Sequence, residues 1–128
     1  MDARTVARVA AVQAIFEKGS NPDGKSDAKF LSSTFDQKRV NKKIFENILG
    51  GFEKNFEAVD ELIEKNLSEE WKFERLTEIL KAILRAGIAD MKYNDTPKNV
   101  VLSEYVSIAD SFVEADEVRF VNALLDKI

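Results

Sequence analysis

Apolar residues recur along the chain at intervals of three and four, and no clear run of strict alternation survives counting. The spacing predicts an all-α protein. Val6, Val9, Val12, Ile15 and Phe16 share one side of a first helix that Asp2 can cap and that stops at Gly19. The stretch GSNPDGKSDAKF carries glycine and Asn-Pro turn signals and reads as a loop. Asp36 restarts a helix with Val40, Ile44, Ile48 and Leu49 inward and Lys38, Arg39, Lys42 and Lys43 on the other side. Gly50 and Gly51 could end it, each being about 1 kcal/mol less favourable than alanine in a helix interior. The apolar spacing nevertheless continues through Phe52, Phe56, Val59, Leu62 and Ile63, so one long helix or two nearly collinear ones are expected, closely packed at the glycines.

Ser68 is placed to cap a further helix entry at SEEW. Leu76, Ile79, Leu80, Ile83, Leu84, Ile88 and Met91 then form an apolar face too broad for a surface helix, which marks the core helix. Pro97 cannot continue it and disfavours helical geometry at Thr96. A helix of Leu102, Tyr105, Val106, Ala109 and Phe112 follows, then an acidic turn, EADE, and the closing segment VRFVNALLDKI. In that last helix Val118, Val121, Leu124, Leu125 and Ile128 make the buried stripe. Phe120 falls on one border and Asn122 on the other; Asn122 is expected to tie down a neighbouring backbone group.

Composition narrows the chemistry. At 128 residues the chain fits one domain spanning 1–128, able to bury roughly two-thirds of its unfolded surface. It has no cysteine, which leaves no disulfide framework or thiolate metal site and suits a reducing compartment. It also has no histidine, which removes imidazole metal ligands and every Ser-His or Cys-His couple. No catalytic residue, metal or cofactor is implied. No apolar run approaches the ~18 residues of a membrane span, and a soluble, cytoplasmic protein is expected.

Net charge is −4, which by itself argues against a freestanding nucleic-acid binder. Its distribution changes that picture. Residues 1–45 carry nine Lys/Arg against five Asp/Glu, a balance of +4, whereas residues 46–128 carry ten against eighteen, a balance of −8. Arg4 and Arg8, four apart on the first helix, together with Lys38, Arg39, Lys42 and Lys43, offer a phosphate-tracking surface. Phe16 and Tyr93 are the aromatic candidates for stacking on bases. Glu61, Glu64, Glu69, Glu70, Glu74 and Glu78 read as a solvated acidic surface, because a di-metal centre needs inward Glu and His pairs.

Three ordered motifs carry a family resemblance: ILKAILRAGIADM, TPKNVVLSEYVSIADSF and RFVNALLDKI. Together with ARVAAVQAIF in the first helix, they resemble the signature of the NusB family of transcription antitermination factors, and only residues 19–35 go unmatched. The resemblance implies a compact single domain of about seven helices, arranged as two small helical bundles packed together, with no catalytic activity. It implies pairing with the small-subunit ribosomal protein NusE, binding of boxA RNA, and action with other Nus factors on an RNA polymerase elongation complex, notably in ribosomal RNA transcription. Family contacts carried over by position put Glu74, Arg75, Phe112, Asp116 and Phe120 at the NusE surface and Arg4, Arg8, Gln13, Phe16 and Lys98 at the RNA surface.

The chain departs from the family pattern at Ser103, where Asn is usual, at Ala123, where Gly is usual, and at Leu80, where an acidic residue is usual. The fold is expected to tolerate the first two, and Leu80 to thin the polar part of the NusE surface. Two rival readings share the resemblance: an N-terminal domain fragment of a ribosomal RNA cytosine methyltransferase, and a homodimeric helical scaffold without RNA function.

Overall fold

The computed structural model of the chain describes residues 2–20 and 40–128. Among these residues it is entirely helical, with six α-helices and one short 3-10 turn: α1 (Ala3–Ser20), α2 (Lys42–Lys54), α3 (Phe56–Asn66), the turn Phe73–Arg75, α4 (Glu78–Tyr93), α5 (Lys98–Phe112) and α6 (Ala115–Lys127). The expected loop after Ser20, the expected helix start at Asp36, and Lys38 and Arg39 fall outside the described residues; where the chain is described again, Val40 and Asn41 are not helical and the helix begins only at Lys42, which corrects the expected run from Asp36 through Val40.

Local chemistry accounts for where the helices begin. Asp2 Oδ1 accepts the backbone N–H groups of Arg4 and Thr5 at 3.0 and 2.9 Å, capping α1 as the sequence predicts. Asn41 caps α2 through Ile44 N–H at 3.1 Å, and Thr77 caps α4 through Leu80 N–H at 3.3 Å. α6 opens with a reciprocal capping box between Glu114 and Glu117, so the acidic EADE stretch is the cap and first turn of a helix rather than a turn between helices. Acids there also meet the positive end of the helix dipole.

As the apolar spacing predicts, α2 runs through Gly50 and Gly51; it breaks at Asn55, whose side-chain amide donates back to Gly51 C=O at 2.9 Å. SEEW forms no helix; Trp71 N–H bonds to Ser68 C=O at 3.0 Å, and the core helix starts later, at Glu78. The segment between α3 and α4 is thereby left as a surface turn that presents Trp71, Glu74 and Arg75.

α4 is the centre of the molecule. It packs against every other helix; α1 and α2 also pack against each other, as do α5 and α6, so both groups share α4. Nine of its residues are buried, from Leu80 to Asp90. Gly51 lets α2 approach it, since a Cβ there would stand 2.5 Å from Cβ of Tyr93. Leu80 lies in the core at 1% exposure, so this departure from the family pattern subtracts nothing from the surface. In α6, Val121, Leu124 and Leu125 are buried as the stripe predicts, with Val118 and Ile128 partly covered. Asn122 is exposed and makes no side-chain bond among the described residues, which overturns its expected tethering role.

Candidate partner and nucleic-acid surfaces

The buried polar heart of the fold bears directly on the candidate residues. Asp90 lies on the buried side of α4 and is completely enclosed. Its carboxylate accepts from Arg8 Nε at 2.6 Å, Tyr105 Oη at 3.0 Å, Asn94 Nδ2 at 3.0 Å and Thr96 Oγ1 at 2.5 Å. Arg8 Nη1 donates to Glu104 at 2.8 Å, and Glu104 also accepts from Thr5 Oγ1 at 3.1 Å. Asn47 of α2 joins through Asn94 at 2.9 Å. One network therefore ties α1, α2, α4 and α5 together, and no buried side-chain polar atom among the described residues lacks a partner. Burial first, then the adjacent Asp90 carboxylate, pushes the Tyr105 hydroxyl well above its ordinary pKa.

This network removes Arg8 from the nucleic-acid surface. It is 4% exposed and its charge is matched by two carboxylates inside the protein, so it has none to offer a phosphate. Spacing alone cannot separate Arg4 from Arg8, because both fall on one side of α1. The signal that separates them is Asp90, a carboxylate on the apolar face of the core helix, which requires a buried cation or several donors.

The remaining nucleic-acid candidates are on the surface but not on one stripe. Gln13 is half-buried and Phe16 is 37% exposed rather than part of the core. Val9, near them on the helix, is partly buried and packs against the core. Arg4 is exposed at the helix start, about 180° around the helix from Gln13. Lys98 opens α5 and donates to Asp126 C=O at 2.8 Å, holding the last turn of α6. Tyr93 is half-buried where α2 crosses α4.

Two of the partner candidates, Asp116 and Phe120, line one groove. Phe120 stacks on Trp71, ring centroids 4.2 Å apart and planes 19° from parallel. These two rings, with Asn66, Ser68, Asp116, Arg119, Ala123, Leu124 and Lys127, line an open groove of about 270 Å³ between α6 and the segment that follows α3. Phe112 ends α5 at 44% exposure, just before the α6 cap, and Glu74 and Arg75 are exposed in the turn that follows Trp71. Trp71 itself is the residue that periodicity misses, because the spacing reads it as part of a helix entry. Among the described residues no acidic cluster could hold a metal ion, and no helix is long and apolar enough to cross a membrane.

A sequence model described as the NusB family matches residues 5–128. The chain belongs to the NusB family. It is 35% identical over 138 residues to the transcription antitermination protein NusB of Mesorhizobium japonicum, an alignment covering 98% of this chain and 87% of the relative. Among solved structures, NusB of T. maritima superposes with a TM-score of 0.82 at 26% identity, covering 99% of this chain and 91% of that one. A structure of the antitermination factors NusB and NusE in complex with dsRNA matches at a TM-score of 0.80 and 18% identity, covering 98% and 94% of the two chains; that likeness speaks for the fold alone. The all-helical arrangement around α4 is thus the NusB fold.

Proposed function

We propose that this chain is a cytoplasmic transcription antitermination factor that binds boxA RNA as a heterodimer with NusE and joins an RNA polymerase complex, notably on ribosomal RNA operons. The reading rests on family membership, and one structural observation carries its partner half: the groove floored by the Trp71–Phe120 stack and edged by Asp116. Aromatic rings and arginine are the side chains enriched at protein interfaces, and Arg119 lines the same groove. Phe112, Glu74 and Arg75 are exposed and are assigned to the same partner surface by the family resemblance. The RNA half rests on Arg4, Gln13, Phe16 and Lys98; Arg8 is withdrawn from it because its charge is matched internally.

A net charge of −4 works against RNA binding by the chain alone, so the partner supplies part of the RNA surface. Fluorescence-anisotropy titration of boxA RNA with this chain, with NusE and with the mixture tests this. Binding by the mixture well above that of either protein is expected; equal curves with and without NusE would refute it.

A further inference from the structure

The start of α2 is fastened to the start of α1. Asn41 N–H donates to Ala3 C=O at 3.1 Å, and the Asn41 side chain caps α2 in the same place. Arg4 follows one end of that bond by a single residue; Lys42 and Lys43 follow the other. All three side chains are exposed, and among the described residues none is paired with a carboxylate. Several other cations in this half of the molecule are committed, Arg8 to Asp90 and Glu104, Lys18 to Glu53, Lys81 to Glu78, and Arg85 to Asp60, while Lys54 and Lys92 are exposed at the far ends of α2 and α4.

The nearby acids are mostly occupied as well. Asp2 spends one carboxylate oxygen on the Arg4 and Thr5 N–H groups, and Glu104 accepts from Thr5 and Arg8. Glu46, one turn beyond Lys42 on the exposed side of α2, is the acid that opposes the cluster. Lysines in the first turn of a helix also oppose its dipole, and α2 has no acid there to offset them. Their placement works against helix stability, which points to a use outside it.

We infer that Arg4, Lys42 and Lys43 form one electrostatic anchor for the sugar-phosphate backbone of single-stranded RNA, set apart from the Gln13–Phe16 stretch of α1. The inference rests on the RNA-binding reading above. Lys42 and Lys43 hold a strand without reading its sequence, so their contribution appears as salt dependence. Bases pass on towards Phe16, roughly three turns along α1, where an exposed ring is available for stacking.

The test uses the full chain with NusE and fluorescently labelled boxA RNA, titrated across a series of salt concentrations. K42E/K43E is expected to weaken binding at least about tenfold at low salt and to flatten the log K against log salt slope by about 1.4, near 0.7 for each single-strand phosphate that is no longer neutralised. Its thermal midpoint should be unchanged or higher, because glutamate suits the first turn of α2. K42Q/K43Q should show the same flattening, and Glu46→Gln a tighter complex. A Lys65→Glu control, exposed on α3, should leave the slope unchanged. If wild type binds and both double variants keep its slope and affinity, the anchor is refuted while the RNA-binding reading stands. If wild type with NusE binds no RNA, both fall.

Discussion

Arg8 Nε donates to Asp90 Oδ2 at 2.6 Å, and the two side chains are only 5% and 0% exposed. This pair joins the first helix to the core helix, and Glu104 and Tyr105 bring in α5. A buried pair is weak evidence of net stabilisation, but removing one member strands the other charge away from water. Arg8→Met should therefore lower the unfolding free energy by about 3–5 kcal/mol. Arg4→Ala, at the exposed end of the same helix, should change it by less than about 0.5 kcal/mol. Urea denaturation of the two variants checks the contrast. Arg8→Lys, if folded, should leave the salt slope of RNA binding at the wild-type value, because Arg8 touches no phosphate.

The two adjacent glycines of α2 should respond in opposite ways. A Cβ on Gly50 meets nothing within 4 Å, so Gly50→Ala should stabilise by about 0.4–1 kcal/mol by reducing the freedom of the unfolded chain. A Cβ on Gly51 would stand 2.5 Å from Cβ of Tyr93, on the packed side of α4. Gly51→Ala must push α2 away, and overpacking of this kind costs about 1–3 kcal/mol. Thermal melts of the two variants should lie on either side of wild type.

That pair also shows what periodicity can and cannot read. The apolar spacing carries α2 correctly through both glycines, and it finds α4, α5 and the buried stripe of α6, because burial repeats with the helical turn. It errs where an isolated local bond sets the backbone, from the Asn55 side chain to Gly51 C=O or from Trp71 N–H to Ser68 C=O. The break at Asn55 and the non-helical SEEW segment have no repeating signal. The candidate surfaces divide in the same way. Phe112 and Asp116 are exposed and Phe120 is partly covered, whereas Arg8 turns inward because a carboxylate 82 residues away in the chain claims it.

Tyr105 makes the polar network sensitive to alkali. Its folded pKa is raised, first by burial and then by Asp90, so the protonated hydroxyl is favoured more in the folded than in the unfolded chain. The resulting stabilisation is complete below the ordinary value of 10.0 and is lost as pH rises from there towards the folded pKa. Wild type should lose stability more steeply than Tyr105→Phe above about pH 10, the ordinary tyrosine pKa. Denaturation midpoints of the two proteins at a series of pH values from neutral upward measure the difference; parallel curves would show that Tyr105 does not titrate differently on folding.

Phe112 and Phe120 are expected to separate partner binding from folding. Phe112 is 44% exposed, so Phe112→Ala should leave the denaturation midpoint close to wild type. Phe120 is partly covered and stacked on Trp71, so Phe120→Ala should cost about 0.5–1.5 kcal/mol from the broken ring pair, beyond its buried area. It should also shift the emission of Trp71, the chain's single tryptophan, by opening its face to water. Both variants should weaken capture of NusE, by about 2 kcal/mol or some thirtyfold if each ring is an interface anchor. Asp116→Lys should weaken it further without altering Trp71 emission, because its exposed carboxylate supports no ring in the stack. Titration calorimetry with NusE, read beside the tryptophan spectra, tests the assignment. Wild-type affinity in all three variants would move the partner surface away from α6.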